Sequence, residues 1–284
     1  MRTDLHIHTT ASDGCWTPER VIVEVQARAI EFFAIADHDS VASVSQAEAL
    51  AREVGLAFLR GVEVSTCLNG YLFHVLAYGC DLDNPALAVL LRENRARLEQ
   101  SNEEIIRRLV AAGYQIDWDD YTAYEYDRSR GGWKTLNFLI DRGFCTDVHD
   151  YFRNLAAHEP PCLLAFPHPA QAIARIREAG GVPILAHPGV SLRHAGVTGE
   201  TLRPFLGFGI AGLECYSHYH DGATTRFCLD WCTRHDLIVT GGSDCHGGFV
   251  GRELGVPAVD TADLRLGELE EKIVPGPLKV NGES

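Results

Sequence analysis

The stretch from Thr3 to Asp39, TDLHIHTTASDGCWTPERVIVEVQARAIEFFAIADHD, reads as strand, helix, strand. Apolar and polar residues alternate over 3–8, the period of a half-buried strand. A helix follows, with Thr17 as its cap and Pro18 at its first position; Val21, Ile22, Val25 and Ala29 share one face. A second apolar run over 32–37 ends in the charged triplet Asp37-His38-Asp39. Working outward, the same texture continues with strands over 57–63 and 72–78. It returns after residue 165, where a helix over 169–179 stops at Gly180-Gly181 and a strand carries Pro183-Ile184-Leu185-Ala186. A strand over 212–216, a helix over 222–234 and a strand over 236–241 complete the series. Repeated β-α units of this kind imply parallel strands in an open sheet or a barrel. Between the two stretches the texture changes. Asn84-Pro85 starts a helix with apolar residues at Leu87, Leu90, Leu91, Leu98, Ile105 and Leu109, stopping at Gly113. Shorter helical patterns follow over 134–142, closed by Gly143, and over 147–155. The expected organisation is one discontinuous α/β unit (1–80 and 165–265), a helical insertion (81–164) and a C-terminal tail (266–284).

The composition suits that reading. Of 284 residues, 46% are hydrophobic and 23% charged, enough for a sizeable core and unlike collagen, a coiled coil or a disordered chain. A net charge of −14 excludes wrapping of duplex nucleic acid by diffuse phosphate neutralisation. No segment approaches the roughly 20 apolar residues of a membrane span, and the first strand begins at once after Met1-Arg2, so a cytoplasmic protein without membrane attachment is expected. The nine cysteines are odd in number and contain no C-x-x-C pair, so reduced thiols are expected. Cys228 and Cys232, four apart on one helix, read as small buried apolar residues.

Histidine is over-represented, with 13 copies against one Met, and its placement is regular. His6 and His8 stand at i and i+2, so both project from one face of a strand, as two ligands of one ion must; two polar residues on an edge strand are the alternative. Asp13 lies in the turn-rich loop just beyond. Asp37 and Asp39 read best as a solvated turn or helix cap, whereas His38 between them is harder to assign to structure alone. Glu63 ends the apolar run Gly61-Val62, and His74 sits within Leu72–Leu76, where a core histidine is the ordinary reading. His187 follows Ile184-Leu185-Ala186, Glu214 follows Gly212-Leu213, and Asp244 and His246 follow Gly241-Gly242-Ser243. Almost every predicted strand thus delivers His, Asp or Glu at its C-terminal end, where α/β proteins place their sites. Imidazoles with carboxylates and without thiolates suit Mn²⁺, Fe²⁺ or Zn²⁺ rather than a structural cysteine-rich zinc site.

These motifs, in this order, resemble those of the PHP (polymerase and histidinol phosphatase) domain phosphoesterases: His6-x-His8 with Thr9-x-x-Ser12-Asp13-Gly14, Asp37-His38-Asp39, Gly61-x-Glu63, His74, Ala186-His187-Pro188 and Ser243-Asp244-x-His246. The resemblance covers both α/β stretches and extends to stand-alone bacterial members with a helical insertion, among them nucleotide phosphatases and a 5′-to-3′ exoribonuclease acting on 5′-phosphorylated ends. It implies a distorted (β/α)7 barrel with about three divalent ions per chain at the mouth. By the same resemblance one ion is held by His6, His8, Glu63 and Asp244. A second shares Glu63 and adds His74 and His187. A third is held by Asp13, His38 and His246. Two ions bridged by a carboxylate can share a hydroxide at neutral pH, and the ions neutralise the phosphoryl oxygens.

The resemblance implies hydrolysis of phosphate esters, with a small phosphorylated metabolite, a nucleotide above all, as first expectation. The alternative with the same chemistry is a phosphodiesterase acting on short 5′-phosphorylated single-stranded RNA ends. No obligate protein partner is implied. His220 matches a histidine of the family's post-strand loop, with a role in phosphoryl contact or proton donation; Glu214 is expected to support the ligands from behind. Arg128, Arg130 and Lys134, around Trp133, form a cationic and aromatic group that could grip a second phosphate or a base; a solvated helix start is the alternative. Here the chain departs from the family, having Gly131-Gly132-Trp133-Lys134 in place of a Gly-Arg-x-His start. Two further classes compete. A non-catalytic metal-binding module should have lost ligands, and none is missing. A carbon–nitrogen amidohydrolase usually wants a bridging lysine, yet no Lys precedes residue 134.

Overall fold

The computed structural model describes residues 1–155 and 166–276. The end of the expected insertion, Cys162, and the chain beyond 276 lie outside the described residues. Eight strands form one sheet: β1 (Arg2–Ile7), β2 (Phe32–Ile35), β3 (Ala57–Leu68), β4 (Tyr71–Tyr78), β5 (Val182–Leu185), β6 (Gly212–Ser217), β7 (Ile238–Gly242) and β8 (Val259–Asp260). Their spatial order is β7-β6-β5-β4-β3-β2-β1-β8. β1, β2 and β3 are parallel neighbours, as are β5, β6 and β7. The sheet curls almost shut: Ile7 and Cys245 form a parallel bridge, and the His8 N–H donates to the Cys245 carbonyl at 2.9 Å. Closure requires glycine at 242, where a Cβ would lie 2.4 Å from that of His6. The two-residue β8 is an eighth strand beside the seven expected, and pairs antiparallel with the outer edge of β1.

The expectation of strands alternating with helices throughout is corrected at β3 and β4. β3 continues past Glu63 to Leu68 and returns as β4 in an antiparallel hairpin. The turn is Asn69-Gly70, with φ of 52° and 83°. Asn-Gly tolerates two positive φ angles and matches the strand twist, so it is a preferred hairpin turn. β4 therefore runs against β3 and β5, and its beginning, not its end, lies at the mouth. This reversal puts His74 opposite Ser65, beside the end of the buried part of β3.

The barrel interior below the mouth is apolar: Leu5, Phe32, Ala34, Leu59, Leu76, Tyr78 and Ile184 are buried together. Full burial of such side chains is worth about 1.5–3 kcal/mol each, which sets a firm floor under a polar mouth. Leu266 and Leu269 close this cluster from below, and Val274 bridges to Phe58. Residues 266–276 thus belong to the barrel rather than to a tail. Outside the sheet, the helices Pro18–Ala27 and Val44–Val54 cover β2 and β3, with Val21, Val25, Val44, Ala47 and Ala51 packed beside Phe33 and Phe58. Thr17 caps the first helix as expected. The helices Pro169–Glu178, Gly199–Phe208 and Gly222–His235 pack on the other side, where Cys228 and Cys232 are wholly buried. The described cysteines are free thiols. No helix among the described residues is long and apolar enough to cross a membrane.

The helix Pro85–Ala111 is capped by the Asn84 side chain, which accepts from the N–H groups of Ala86 and Leu87. Its first turns bury Leu87, Leu90 and Leu91 against the barrel's helices. Further along, Ile106 and Leu109 join Tyr121, Leu136, Phe138 and Tyr151 in a separate cluster, onto which Phe249 and Val250 pack from the loop after His246. The helical segment is thereby seated on a loop of the barrel mouth.

Candidate metal centre

Each ligand candidate is carried to the mouth by an identifiable element. β1 carries His6, and His8 follows its last residue directly; both are buried. The loop after it is pinned by Asp37, whose carboxylate accepts from the Thr9 N–H (2.7 Å), the Thr9 hydroxyl (2.6 Å) and the Ser12 hydroxyl (2.6 Å). That anchored turn presents Asp13. Asp39 accepts from the Ser65 N–H (3.1 Å), the Ser65 hydroxyl (2.6 Å) and the Asn94 amide (2.7 Å). Asp37 and Asp39 are wholly buried braces on either side of His38, not residues of a solvated turn. Burial pushes both carboxyls up despite their donors.

Glu63 is the centre. Its Oε1 lies 2.9 Å from His187 Nε2 and 3.0 Å from His74 Nδ1; its Oε2 lies 3.0 Å from His38 Nδ1 and 3.3 Å from both His6 Nε2 and His8 Nε2. Asp244 Oδ1 is 3.0 Å from His8 Nε2 and 3.5 Å from His6 Nε2. Asp13 Oδ1 faces His246 Nε2 at 3.3 Å and His8 Nδ1 at 3.6 Å. Three sets of atoms are close enough to hold an ion: His6, His8, Glu63 and Asp244; His8, Asp13, His38 and His246; and His38, Glu63 and His74. All nine expected residues are thus in one cluster. The first set matches an expected grouping, and the second adds His8 to another. In the third, His38 stands where His187 was expected, although His187 meets the same Glu63 oxygen as His74. Asp244 and His187 both hold positive φ, 54° and 26°, a strained conformation that only a well-determined surrounding maintains.

Residues behind the ligand candidates fix which ring nitrogen faces inward. His6 Nδ1–H donates to Glu214 Oε1 at 2.8 Å, leaving a lone pair on Nε2 toward the cluster. The other Glu214 oxygen accepts the His187 N–H at 2.8 Å, so Glu214, on β6, holds two of the ligand candidates. His246 Nδ1–H donates to the Asp244 carbonyl at 2.8 Å, which turns its Nε2 toward Asp13. Asp4, absent from the sequence reading, accepts N–H bonds from His6, Ser243 and Gly255 and ties β1 to the strand-end loops.

The cluster's electrostatics call for cations. Burial opposes charge on His8, yet Asp244 and Glu63 push it up to about 10, and the facing carboxylates raise His6 and His74 as well. Burial pulls His38 down to about 3. Burial alone would raise Glu63 and Asp244, but the surrounding imidazoles hold both well below the carboxylate range, and Asp13 is lowered likewise. Glu63 Oε2, Asp244 Oδ1, His8 Nδ1 and His38 Nδ1 are buried without a hydrogen-bond partner. An unsatisfied buried polar atom costs about 1–3 kcal/mol, more when charged. Cations among these atoms would satisfy them, so the residues fit a set of divalent ions.

His220 is corrected. Its Nδ1–H donates to the Cys215 carbonyl at 2.8 Å and its Nε2 accepts the Gly189 N–H at 2.9 Å. Both nitrogens are used by backbone, which leaves nothing to contact a phosphoryl group or donate a proton; burial lowers its pKa, in keeping with a neutral ring. Its neighbour Tyr219 faces the cluster instead, with its ring 5.5 Å from that of His187. Arg130 and Lys134 are not brought to the cluster. Arg130 forms a two-point ion pair with Asp141 (2.7 and 2.9 Å), and Lys134 donates to the Thr122 carbonyl at 2.8 Å. The segment reaches the mouth at Gly132, whose N–H donates to the Asp13 carbonyl at 2.7 Å, and at Arg128, whose Nη1 donates to the Thr10 carbonyl at 3.4 Å. Arg252, which the sequence reading missed, is bonded to Asp244 through its carbonyl (3.2 Å) and its carboxylate.

A barrel mouth of imidazoles sharing three carboxylates defines a metal-dependent hydrolase, and similarity to known proteins says of which kind. No family model matches the chain. A 3′,5′-nucleoside bisphosphate phosphatase of Chromobacterium violaceum is 31% identical over 258 residues, covering 89% of this chain and 90% of that protein. A 5′-3′ exoribonuclease of Haemophilus influenzae is 29% identical over 250 residues, covering 86% and 89%. A crystal structure from Bifidobacterium adolescentis, named as a metal-dependent phosphoesterase, superposes with a TM-score of 0.81 at 28% identity, covering 95% of this chain and 96% of that one. The chain belongs to the PHP-type metal-dependent phosphoesterases, and it is an enzyme that hydrolyses phosphate esters.

Proposed function

We propose that this phosphoesterase is a phosphatase of a small phosphorylated metabolite, a nucleotide, working with about three divalent ions of the Mn²⁺, Fe²⁺ or Zn²⁺ type. The observation that carries the reading is Glu63, buried at the centre with five imidazole nitrogens within 3.3 Å of its two oxygens. His6, His8, Glu63 and Asp244 would hold one ion, Glu63, His74 and His187 a second, and Asp13, His38 and His246 a third. When bound, the ions supply charge stabilisation for the phosphoryl group and acidify the attacking water. The chain's own residues do the rest: Glu214 keeps His6 in the ligating tautomer, Asp37 and the Gly132 N–H hold the Asp13 loop, and the apolar floor limits the site from below. The described helices of the insertion, seated on Phe249 and Val250 at the mouth, would limit how long a substrate can approach. The relative from Chromobacterium and the net charge of −14 favour a small substrate over a nucleic acid.

A second reading, trimming of short 5′-phosphorylated RNA, is favoured by the similarity to the Haemophilus exoribonuclease. Glu63 takes the central place, no Lys precedes residue 134, and Lys134 is bonded to Thr122 on the helical segment, which speaks against an amidohydrolase. The test compares kcat/KM for nucleoside 3′,5′-bisphosphates and for 5′-phosphorylated di- and trinucleotides, using protein of known metal content. Preference for the bisphosphate supports the first reading. Preference for the oligonucleotides supports the second, and no turnover of either in metal-loaded protein would favour a non-catalytic module.

A further inference from the structure

Three cationic side chains at the helical segment were natural candidates to hold a substrate's phosphate, but Arg130 and Lys134 are already paired within that segment. The mouth itself holds a different cation. Arg252 lies six residues past His246, with its side chain 18% exposed. Its hydrogen bonds leave from one nitrogen, Nη1, to the Asp244 carbonyl and to the Asp244 carboxylate; the same nitrogen lies 3.3 Å from His246 Nδ1, whose proton already goes to the Asp244 carbonyl. Nε and Nη2 donate to nothing among the described residues. The guanidinium lies over the Tyr219 ring, 4.9 Å from its centroid. Tyr219 in turn stands edge-on to His187.

Resting on the reading that the cluster hydrolyses phosphate esters, we propose that Arg252, braced on Tyr219, is the protein's own grip on the substrate's phosphoryl oxygens. An arginine kept only to neutralise Asp244 would be expected to present its fork to that carboxylate with two nitrogens, as Arg130 does to Asp141. Arg252 instead spends a single nitrogen on Asp244 and keeps two in reserve, on a side chain that is partly exposed and lies beside the Asp244 and His246 ligand candidates. The cation–π contact with Tyr219 restrains the guanidinium without using a donor. A guanidinium so held is pre-set for two parallel N–H···O bonds to a tetrahedral phosphate, a geometry that lysine cannot reproduce. The ligand class is a phosphate monoester or the free phosphate released from it.

The experiment is calorimetric titration of inorganic phosphate into metal-loaded full-length protein, comparing the parent with Arg252→Ala and Arg252→Lys and with metal content measured on the same samples. The loss of charge-assisted bonds predicts phosphate binding weaker by about 10- to 150-fold in Arg252→Ala, at parental metal content. Arg252→Lys, which keeps the charge but not the fork, should recover part of that loss. Tyr219→Leu should also weaken binding, by less. Parental phosphate affinity in metal-loaded Arg252→Ala would overturn the proposal, as would weakened binding accompanied by an equal loss of metal in both Arg252 variants, since Arg252 would then act only through Asp244. The titration does not depend on turnover. Parental protein that binds phosphate through Arg252 but hydrolyses no ester would therefore refute the functional reading and leave this one standing.

Discussion

Replacing Glu214 by glutamine changes one atom type and should disturb two ligands at once. In the native site one carboxylate oxygen accepts the His6 Nδ1–H at 2.8 Å, and the other accepts the His187 backbone N–H at 2.8 Å. Both partners are donors, and a carboxylate can serve both. An amide cannot, because its NH₂ must face one of them. If it faces His187, two N–H groups oppose each other and the strained backbone there, at φ 26°, loses its restraint. If it faces His6, the ring must take the other tautomer, which puts a proton on Nε2 where a lone pair is needed. Either way a buried charge-assisted bond worth about 1.5–3 kcal/mol is lost. Outer partners of metal-bound histidines typically contribute 10–100-fold to affinity, and a loss in that range is expected here. The assay is competition for metal against a chelator of known affinity, read by elemental analysis and followed by activity at saturating metal. Metal affinity unchanged within threefold in a folded Glu214→Gln protein would refute the claim that Glu214 sets the ligating tautomer.

Glu63→Ala and His187→Ala should both abolish turnover, but elemental analysis should show that Glu63→Ala loses more metal, because Glu63 faces five imidazole nitrogens and His187 one carboxylate oxygen; equal, near-complete retention in both would mean that Glu63 is not the bridge. His220→Ala should lower stability by about 1–3 kcal/mol in chemical denaturation while leaving the shape of the pH–rate profile unchanged, since the ring bridges two backbone groups; loss of the profile's basic limb would restore it as a proton donor. In chelator-treated protein, His8 is raised to about 10 from an unfolded value near 6.5, so its stabilising protonation is complete below about pH 6.5 and is lost as pH rises toward 10. Asp13, Glu63 and Asp244, held below their ordinary range, stabilise above about pH 4, and that contribution is lost on acidification. The Tm of metal-free protein should therefore fall between pH 6.5 and 9, whereas metal-loaded protein, whose ligands must be deprotonated, should hold or gain; scanning calorimetry with and without chelator checks this, and a rising metal-free Tm would contradict it.

Much of this site could be read from the chain because period and position coincide. A strand places His6 and His8 on one face, and parallel strands bring Glu63, His187, Asp244 and His246 to one end whatever the barrel's details. His74 was readable only by resemblance: it lies inside an apolar run, and its place at the mouth depends on the reversal at Asn69-Gly70. That turn was present in the sequence, but ending β3 at Glu63 hid it. The helices Val44–Val54 and Gly199–Phe208 escaped for local reasons. The first buries a stripe of mainly small residues, Val44, Ala47 and Ala51, and the second contains Pro204. Asp37 and Asp39 looked solvated because charge next to a strand end usually is; their burial depends on Thr9, Ser12, Ser65 and Asn94, which are distant in sequence. Arg252 and Tyr219 follow no spacing rule at all. Their places are set by how the loops after β6 and β7 meet.

The most direct test of the central claim is to titrate a metal such as Mn²⁺ back into chelator-stripped protein while following bound metal and phosphate-ester hydrolysis together. Activity should be absent in the stripped protein, should return as metal binds, and should saturate at about three ions per chain. Full activity in protein holding no divalent metal would contradict the account at its root.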